Sequence, residues 1–424
     1  MEEQDYSAMF YDTYYVYTKR LGKGKTKSIL EDMSEIIGVP HGKPGIDCLF
    51  INTYLAIKLG YEKMKISSRS SFYSKELISY DKKYKSTVTY TDAMKFIKSG
   101  NSAKCWVHHK GSNLLREDRY KGGYLVFEDW FVQQVSDIKT DCSLSDIEKL
   151  KVKSPEIKLK TKPAKCSKDD DRVEVTFKPD GVLLPVRKAI REYNDFIYSY
   201  DVVMERLTLD PRIYRIYLDD TSRYGRFHSE YQKLPSRKRR KITINSEDVV
   251  EIDVVSSHPS ILLCREGIEP NSMNVYDYEG VNNKLREWCG DGAPCITRKI
   301  MKVFVLVALN CSDRSTAMHS TTKKVFEEWE YEGDKNACDL VLKAVEETIP
   351  IIAKSFYKGV GLNLMKEESE VVYQMIKYAI QESTPLLFVH DSFICKQKDY
   401  EKVNNQIQET FKSFFGFYPK IEVK

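Results

Sequence analysis

The stretch Leu386-Leu387-Phe388-Val389-His390-Asp391-Ser392-Phe393-Ile394-Cys395 is apolar on both sides of a polar break that contains an acid. Short apolar runs rich in β-branched and aromatic residues read as buried strands. Two such runs around a polar break read as a β-hairpin with His390 and Asp391 at its tip. A charge carried into an apolar layer must be paired or bound to metal. The chain therefore needs a sheet with a covered face, and a place at its end where the Asp391 carboxylate meets a cation.

A second acid has the same setting. Val249-Val250-Glu251-Ile252-Asp253-Val254-Val255 is a buried-strand pattern with Asp253 near its C-terminal end. Ser256-Ser257-His258-Pro259 follows, and Ser260 to Leu263 continues as a helix with Pro259 in its first turn. Asp253 then has two readings. It caps the helix, or it holds a hard cation together with nearby backbone carbonyls. Two acids from separate strands can converge on a metal pair, the arrangement that serves phosphoryl and nucleotidyl transfer.

Between the acids, Thr297-Arg298-Lys299-Ile300-Met301-Lys302 leads into an apolar run ending at Asn310. Arg298 and Lys302 are four apart and share one helix face. Two cations there either clamp a triphosphate or form an ordinary solvated face.

The rest of the chain supplies context. Residues 1–145 have helical spacing over Ile29–Ile37 and Asp47–Leu59. A third helix spans Tyr90–Ser99, begun by a Thr-Asp cap. Cys105–His109, a basic turn and Tyr124–Phe127 follow. Helix, strand, turn, strand is the outline of a winged helix, or simply of a small packed domain. Residues 146–180 read as a lysine-rich linker, with Pro155 and Pro163. Residues 181–424 hold the acids, with helices over Val186–Leu207 and Tyr400–Phe415 and a last strand at Lys420–Val423. The ten cysteines contain no CxxC pair, which argues against a zinc site, and their dispersal reads as a reduced, cytoplasmic protein. No apolar run approaches the length of a membrane span. The net charge of +5 is too small to identify a partner by itself.

In chain order, the segments around Asp253, around Arg298 and Lys302, and around His390-Asp391 resemble motifs A, B and C of the A-family DNA polymerases. They also resemble those of the phage-type single-subunit RNA polymerases. Upstream, Gly225-Arg226, Gln232-Lys-Leu-Pro235, Arg237 and Arg240 resemble the segment with which A-family enzymes contact template and primer. The resemblance covers about residues 215–400. It implies an α/β (α+β) fold of the right-hand polymerase type, with a palm, small fingers and a separate N-terminal domain. Two Mg2+ ions, replaceable by Mn2+, would sit on Asp253, Asp391 and the Val254 carbonyl. Arg298 and Lys302 would hold the incoming nucleoside triphosphate, and Lys302 would protonate the pyrophosphate. His390 would lie near the primer terminus. Arg226, Gln232, Arg237 and Arg240 would grip the DNA template and primer.

The sequence departs from both families where the sugar is chosen. His258 stands where DNA enzymes carry Glu, Asn310 where an aromatic is expected, and Ser392 follows Asp391 as in the RNA enzymes. The compact spacing and the Gln-x-x-Pro segment favour the DNA branch. An RNA polymerase or primase, a metal-dependent nuclease and a non-catalytic DNA-binding replication protein are the alternatives. Glu368, in an acid-bearing stretch before motif C, reads as a helix N-terminal acid favoured by the helix dipole.

Overall fold

The computed structural model describes residues 10–11, 26–66, 76–78, 83–85, 88–109, 123–139, 155–161, 173–175, 181–205, 207–329 and 335–424. The first half folds as β1 (Phe10–Tyr11), α1 (Lys27–Ile37), α2 (Pro44–Lys58), β2 (Lys63–Lys65), β3 (Glu76–Ile78), β4 (Lys83–Lys85), α3 (Tyr90–Ser102), β5 (Trp106–His109), β6 (Tyr124–Phe127), α4 (Asp129–Asp137), β7 (Ile157–Thr161), β8 (Val173–Val175) and α5 (Leu183–Ile197). Next come β9 (Val202–Met204), β10 (Leu207–Thr208), β11 (Tyr214–Leu218), β12 (Arg226–His228), α6 (Ser236–Arg239), β13 (Ile242–Ile244), β14 (Glu247–Val254), α7 (Ser257–Arg265) and α8 (Tyr278–Cys289). The chain ends with α9 (Arg298–Asn310), α10 (Arg314–Trp329), α11 (Lys335–Thr348), α12 (Pro350–Ala353), α13 (Gly361–Gln381), β15 (Leu386–Val389), β16 (Ser392–Lys396), α14 (Tyr400–Phe415) and β17 (Ile421–Val423). The fold is mixed α/β, and no described helix is long and apolar enough to cross a membrane.

The chain divides into two units that interleave in sequence. The first comprises Met1–Glu156, Tyr198–Tyr214 and Ser229–Asp248, and the second Ile157–Ile197, Arg215–His228 and Val249–Lys424. This differs from the expected division at 145 and 180. Within the lysine-rich stretch, two described segments are strands, Ile157–Thr161 and Val173–Val175. Ile157–Thr161 pairs in parallel with β11, and β8 adds an antiparallel partner. Alternating apolar residues at Ile157 and Leu159 let the strand form despite its lysines, one of which, Lys158, reaches Glu174 at 3.6 Å. The expected long helix at 186–207 stops at Ile197. Val202 and Val203 instead pair antiparallel with β10 and β13, in keeping with the strand preference of β-branched residues.

The first unit packs α1–α4 on the sheet β1-β2-β6-β5. Its core is aromatic: Trp106 stacks on Phe96 at 4.6 Å and meets Phe131 edge-on. Gly100 is required there, because a Cβ would fall 1.9 Å from the Trp106 ring. Helix α3 is capped by Thr89, two residues before the expected Thr-Asp, in a full capping box with Asp92. The order α3, β5, β6 keeps the helix-strand-strand sequence of the winged-helix outline. The turn that would form the wing, 110–122, lies outside the described residues.

The second unit carries the acids. In it β14 pairs antiparallel with both β16 and β17, and β16 pairs with β15. β15 and β16 are buried along their whole length, as the continuous apolar pattern requires. Helix α13 packs against α5, α7, α14 and β12. The Tyr193 hydroxyl of α5 donates to the Leu386 carbonyl, so this phenol is satisfied inside the core.

Candidate active site

β14 and the β15–β16 hairpin bring the two acids to one end of the sheet. Asp253 lies opposite Ser392 in the register, and the Val254 N–H donates to the Asp391 carbonyl at 3.2 Å. The hairpin turn has only two residues, His390 and Asp391. His390 sits there at φ 56°, in the left-handed region where glycine, asparagine or aspartate is usual. A bulky residue in that backbone is strain of the kind that collects at functional sites. A second non-glycine residue at positive φ, Ser256 at 55°, turns the chain from β14 into α7.

The two carboxylates have different surroundings. Asp253 Oδ1 accepts from the Ser392 hydroxyl, and Oδ2 lies 2.8 Å from Lys424 Nζ. Asp391 is half-buried at the turn of the hairpin. Burial, then the charges of Glu368 and Asp253, push its carboxyl up to about 7, although Arg226 partly offsets them. Three acids, Asp253, Asp391 and Glu368, thus act on one another at this end of the sheet. An arriving divalent cation would relieve that repulsion. Among the described residues no cluster of three or more His, Cys, Asp or Glu could hold a metal. Two carboxylates with backbone carbonyls nevertheless suit Mg2+, which commonly takes one or two carboxylates and completes its shell with water and substrate phosphates.

Arg298 is the first residue of α9, whose N-cap Thr297 accepts from the Ile300 N–H. The helix bears out the shared face of Arg298 and Lys302, and both are exposed. Tyr276, which no sequence pattern singled out, touches both this helix and the turn after β14. Its ring lies 5.4 Å from the Arg298 guanidinium, and its hydroxyl is hydrogen-bonded to Ser256. Burial first, and the nearby Asp391 charge, push the phenol up to about 12. Asn310 closes α9. Its Nδ2 donates to the Leu306 carbonyl at 2.7 Å, and Gly361 approaches so closely that a Cβ there would meet Asn310 Oδ1 at 2.0 Å. Asn310 is exposed at the end of α9, next to the start of α13.

Beside the acids lies a second cluster. Glu368 is in the interior of α13, two turns past its start, so the helix-dipole reading is corrected. It meets Arg226 at 2.8 Å and His258 Nε2 at 3.2 Å. Burial alone would raise its carboxyl, but the hydrogen bond from His258 and the Arg226 charge hold it below the ordinary carboxylate range. Arg226 points inward and is only 17% exposed. His258 is likewise buried, at the start of α7. Glu368, Asp391, Val254 and Ser257 line one small cavity with Val371, Val372, Phe393 and Phe411. His228 stands edge-on to His390, with ring centroids 6.1 Å apart, and accepts or donates at 3.0 Å to Tyr224. Burial, then the neighbouring cationic groups, lower its imidazole to about 3.

Gln232, Arg237 and Arg240 belong to the first unit, on a 3-10 turn and the short helix α6. Sequence reasoning missed Tyr276 and Lys424 and misassigned Glu368. The one available signal was Glu368 itself, an acid whose neighbours Leu364, Val371 and Val372 place it on the apolar face of α13.

No protein-family model matches the chain, and no curated protein matches it. Among solved structures, the chain is similar to the POL domain of Pol1 from M. smegmatis, in complex with DNA primer-template and dNTP. The identity is 8% and the TM-score 0.29, over 57% of this chain. The chain spans about half, 51%, of that domain. A likeness at that TM-score carries no argument about the site.

Proposed function

We propose that this chain is a template-directed nucleotidyltransferase that extends a 3′-hydroxyl, with a DNA polymerase as the favoured form. The observation that carries the reading is the convergence of Asp253 and Asp391 from adjacent strands, with Tyr276 in contact with Arg298 and hydrogen-bonded to Ser256, just past β14. Paired acids alone also suit a nuclease. Exposed cations on one helix face suit a triphosphate, as the motif resemblance implies.

Asp253 and Asp391, with the Val254 carbonyl, would hold two Mg2+ ions, or Mn2+ in their place. When bound, such a pair lowers the pKa of the attacking 3′-oxygen and compensates charge on the pyrophosphate. Arg298 and Lys302 grip the triphosphate, and Lys302 passes a proton to the leaving pyrophosphate. His390, fixed by its strained turn, flanks the primer terminus. His258, pinned between Arg226 and Glu368, forms the wall of the sugar subsite. Gln232, Arg237 and Arg240 contact the phosphate backbone of template and primer. Arg226, which is also paired with Glu368, joins them in that contact.

One observation favours a second reading, the single-subunit RNA polymerase. Ser392 follows Asp391 as in that family and donates to Asp253. A single extension assay separates the readings. Purified protein is given a primed template with matched deoxy- or ribonucleotide sets, with and without primer. The proposal expects Mg2+-dependent, template-directed incorporation, with deoxynucleotides preferred. Cleavage without incorporation would establish the nuclease instead, and tight DNA binding with neither activity the non-catalytic protein.

A further inference from the structure

Asp253 already carries a cation belonging to the chain. β17 runs antiparallel beside β14 with Ile252 opposite Val423 and Asp253 opposite Glu422, and the Lys424 N–H donates to the Glu251 carbonyl at 2.9 Å. Lys424 thus faces Glu251. Side chains two apart on a strand share a face, so Lys424 is the diagonal neighbour of Asp253. The side chain uses that position, with Nζ 2.8 Å from Asp253 Oδ2. The other oxygen is held by Ser392. Both oxygens that would face a metal are therefore occupied by donors of the protein.

We propose that Lys424 is the resting counter-cation of the carboxylate pair, displaced when a divalent ion settles on Asp253, and that it thereby sets the metal affinity of the site. The inference rests on the reading of Asp253 and Asp391 as metal ligands. The ammonium balances one of two adjacent acids while no metal is present. It ends a flexible four-carbon stem that is 28% exposed, so it can leave without disturbing the strand that positions it. A divalent ion must compete with it, which raises the metal concentration needed for half-occupancy. Removing the charge strengthens metal binding, and because a unit charge at this range acts strongly even at an effective dielectric near 20, the gain is on the order of tenfold.

The test uses the full chain without nucleotide or nucleic acid. Mn2+ is titrated calorimetrically and by electron paramagnetic resonance into wild type, Lys424→Met, Lys424→Arg, Asp253→Asn and Asp391→Asn. Lys424→Met should bind Mn2+ about tenfold more tightly than wild type and unfold at a lower temperature when metal-free. Lys424→Arg should stay near wild type. Lys424→Gln serves in place of Lys424→Met if that variant does not fold. Equal or weaker Mn2+ binding by Lys424→Met, with binding lost in the Asp variants, overturns the lysine inference and leaves the metal site standing. Identical Mn2+ binding by wild type and both Asp variants overturns the metal site and the inference with it.

Discussion

Glu368 is buried and Asp391 half-buried in the same unit, and their surroundings differ in kind. Glu368 has a guanidinium at 2.8 Å and an imidazole at 3.2 Å, and its carboxyl is held low despite burial. Asp391 has two acids for neighbours and is pushed up by burial and by their charges. A compensated buried acid is a structural joint, here fastening α13 to β12 and α7. An acid set among other acids is a site awaiting a cation. The contrast assigns different work to two carboxylates that line one cavity.

Glu368→Gln should show the largest effect on stability, because it leaves Arg226 and a buried histidine without their acid. Removing one partner of a buried pair costs about 3–5 kcal/mol, readable by chemical denaturation. If Glu368→Gln unfolds like wild type, the compensated cluster is not the joint described. Next in size is Arg298→Ala. Losing one charge-assisted contact is expected to raise KM for the nucleotide about 10- to 100-fold. The melting temperature should not move, because Arg298 is exposed. Unchanged KM would detach α9 from the substrate. Asp391→Asn moves stability the other way from Glu368→Gln. It removes a repelled, half-buried charge, so the metal-free protein should be as stable as wild type or slightly more so. A loss comparable to that of Glu368→Gln would erase the contrast between the two acids.

The smallest expected effect is on pH dependence. His228 titrates near 3 in the folded chain against an ordinary 6.5. The unfolded chain therefore binds the extra proton first as pH falls. Stability is unaffected above about 6.5 and declines between there and about 3. His228→Phe should flatten that part of the stability–pH curve, measured as denaturation midpoints from pH 7 to 4. An unchanged slope would show that His228 does not carry it.

Local patterns made part of the fold legible. β15, the helix Tyr400–Phe415 and the strand bearing Asp253 follow from apolar periodicity, because burial on one or both faces leaves that signature in the residues themselves. The pairing of Asp253 with Asp391 was legible as an order of motifs. Non-local contacts were not. Glu368 reads locally as a helix-start acid, and only packing against β12 and α7 turns it inward to Arg226 and His258. Lys424 reads as one more surface lysine until the register of β17 on β14 puts it beside Asp253. Tyr276 lies outside the regular helices and strands, where no periodicity marks a side chain for burial. The strand Ile157–Thr161 was hidden by its lysines, since a parallel partner far along the chain leaves no mark nearby.

Primer extension by wild type beside Asp253→Asn and Asp391→Asn, all shown to be folded by circular dichroism, tests the central claim most directly. The account predicts Mg2+- or Mn2+-dependent, template-directed extension by wild type. It predicts a loss on the order of a thousandfold or more in each variant, the scale of removing a principal electrostatic stabiliser of a transition state. Extension that survives undiminished in either folded variant would contradict it.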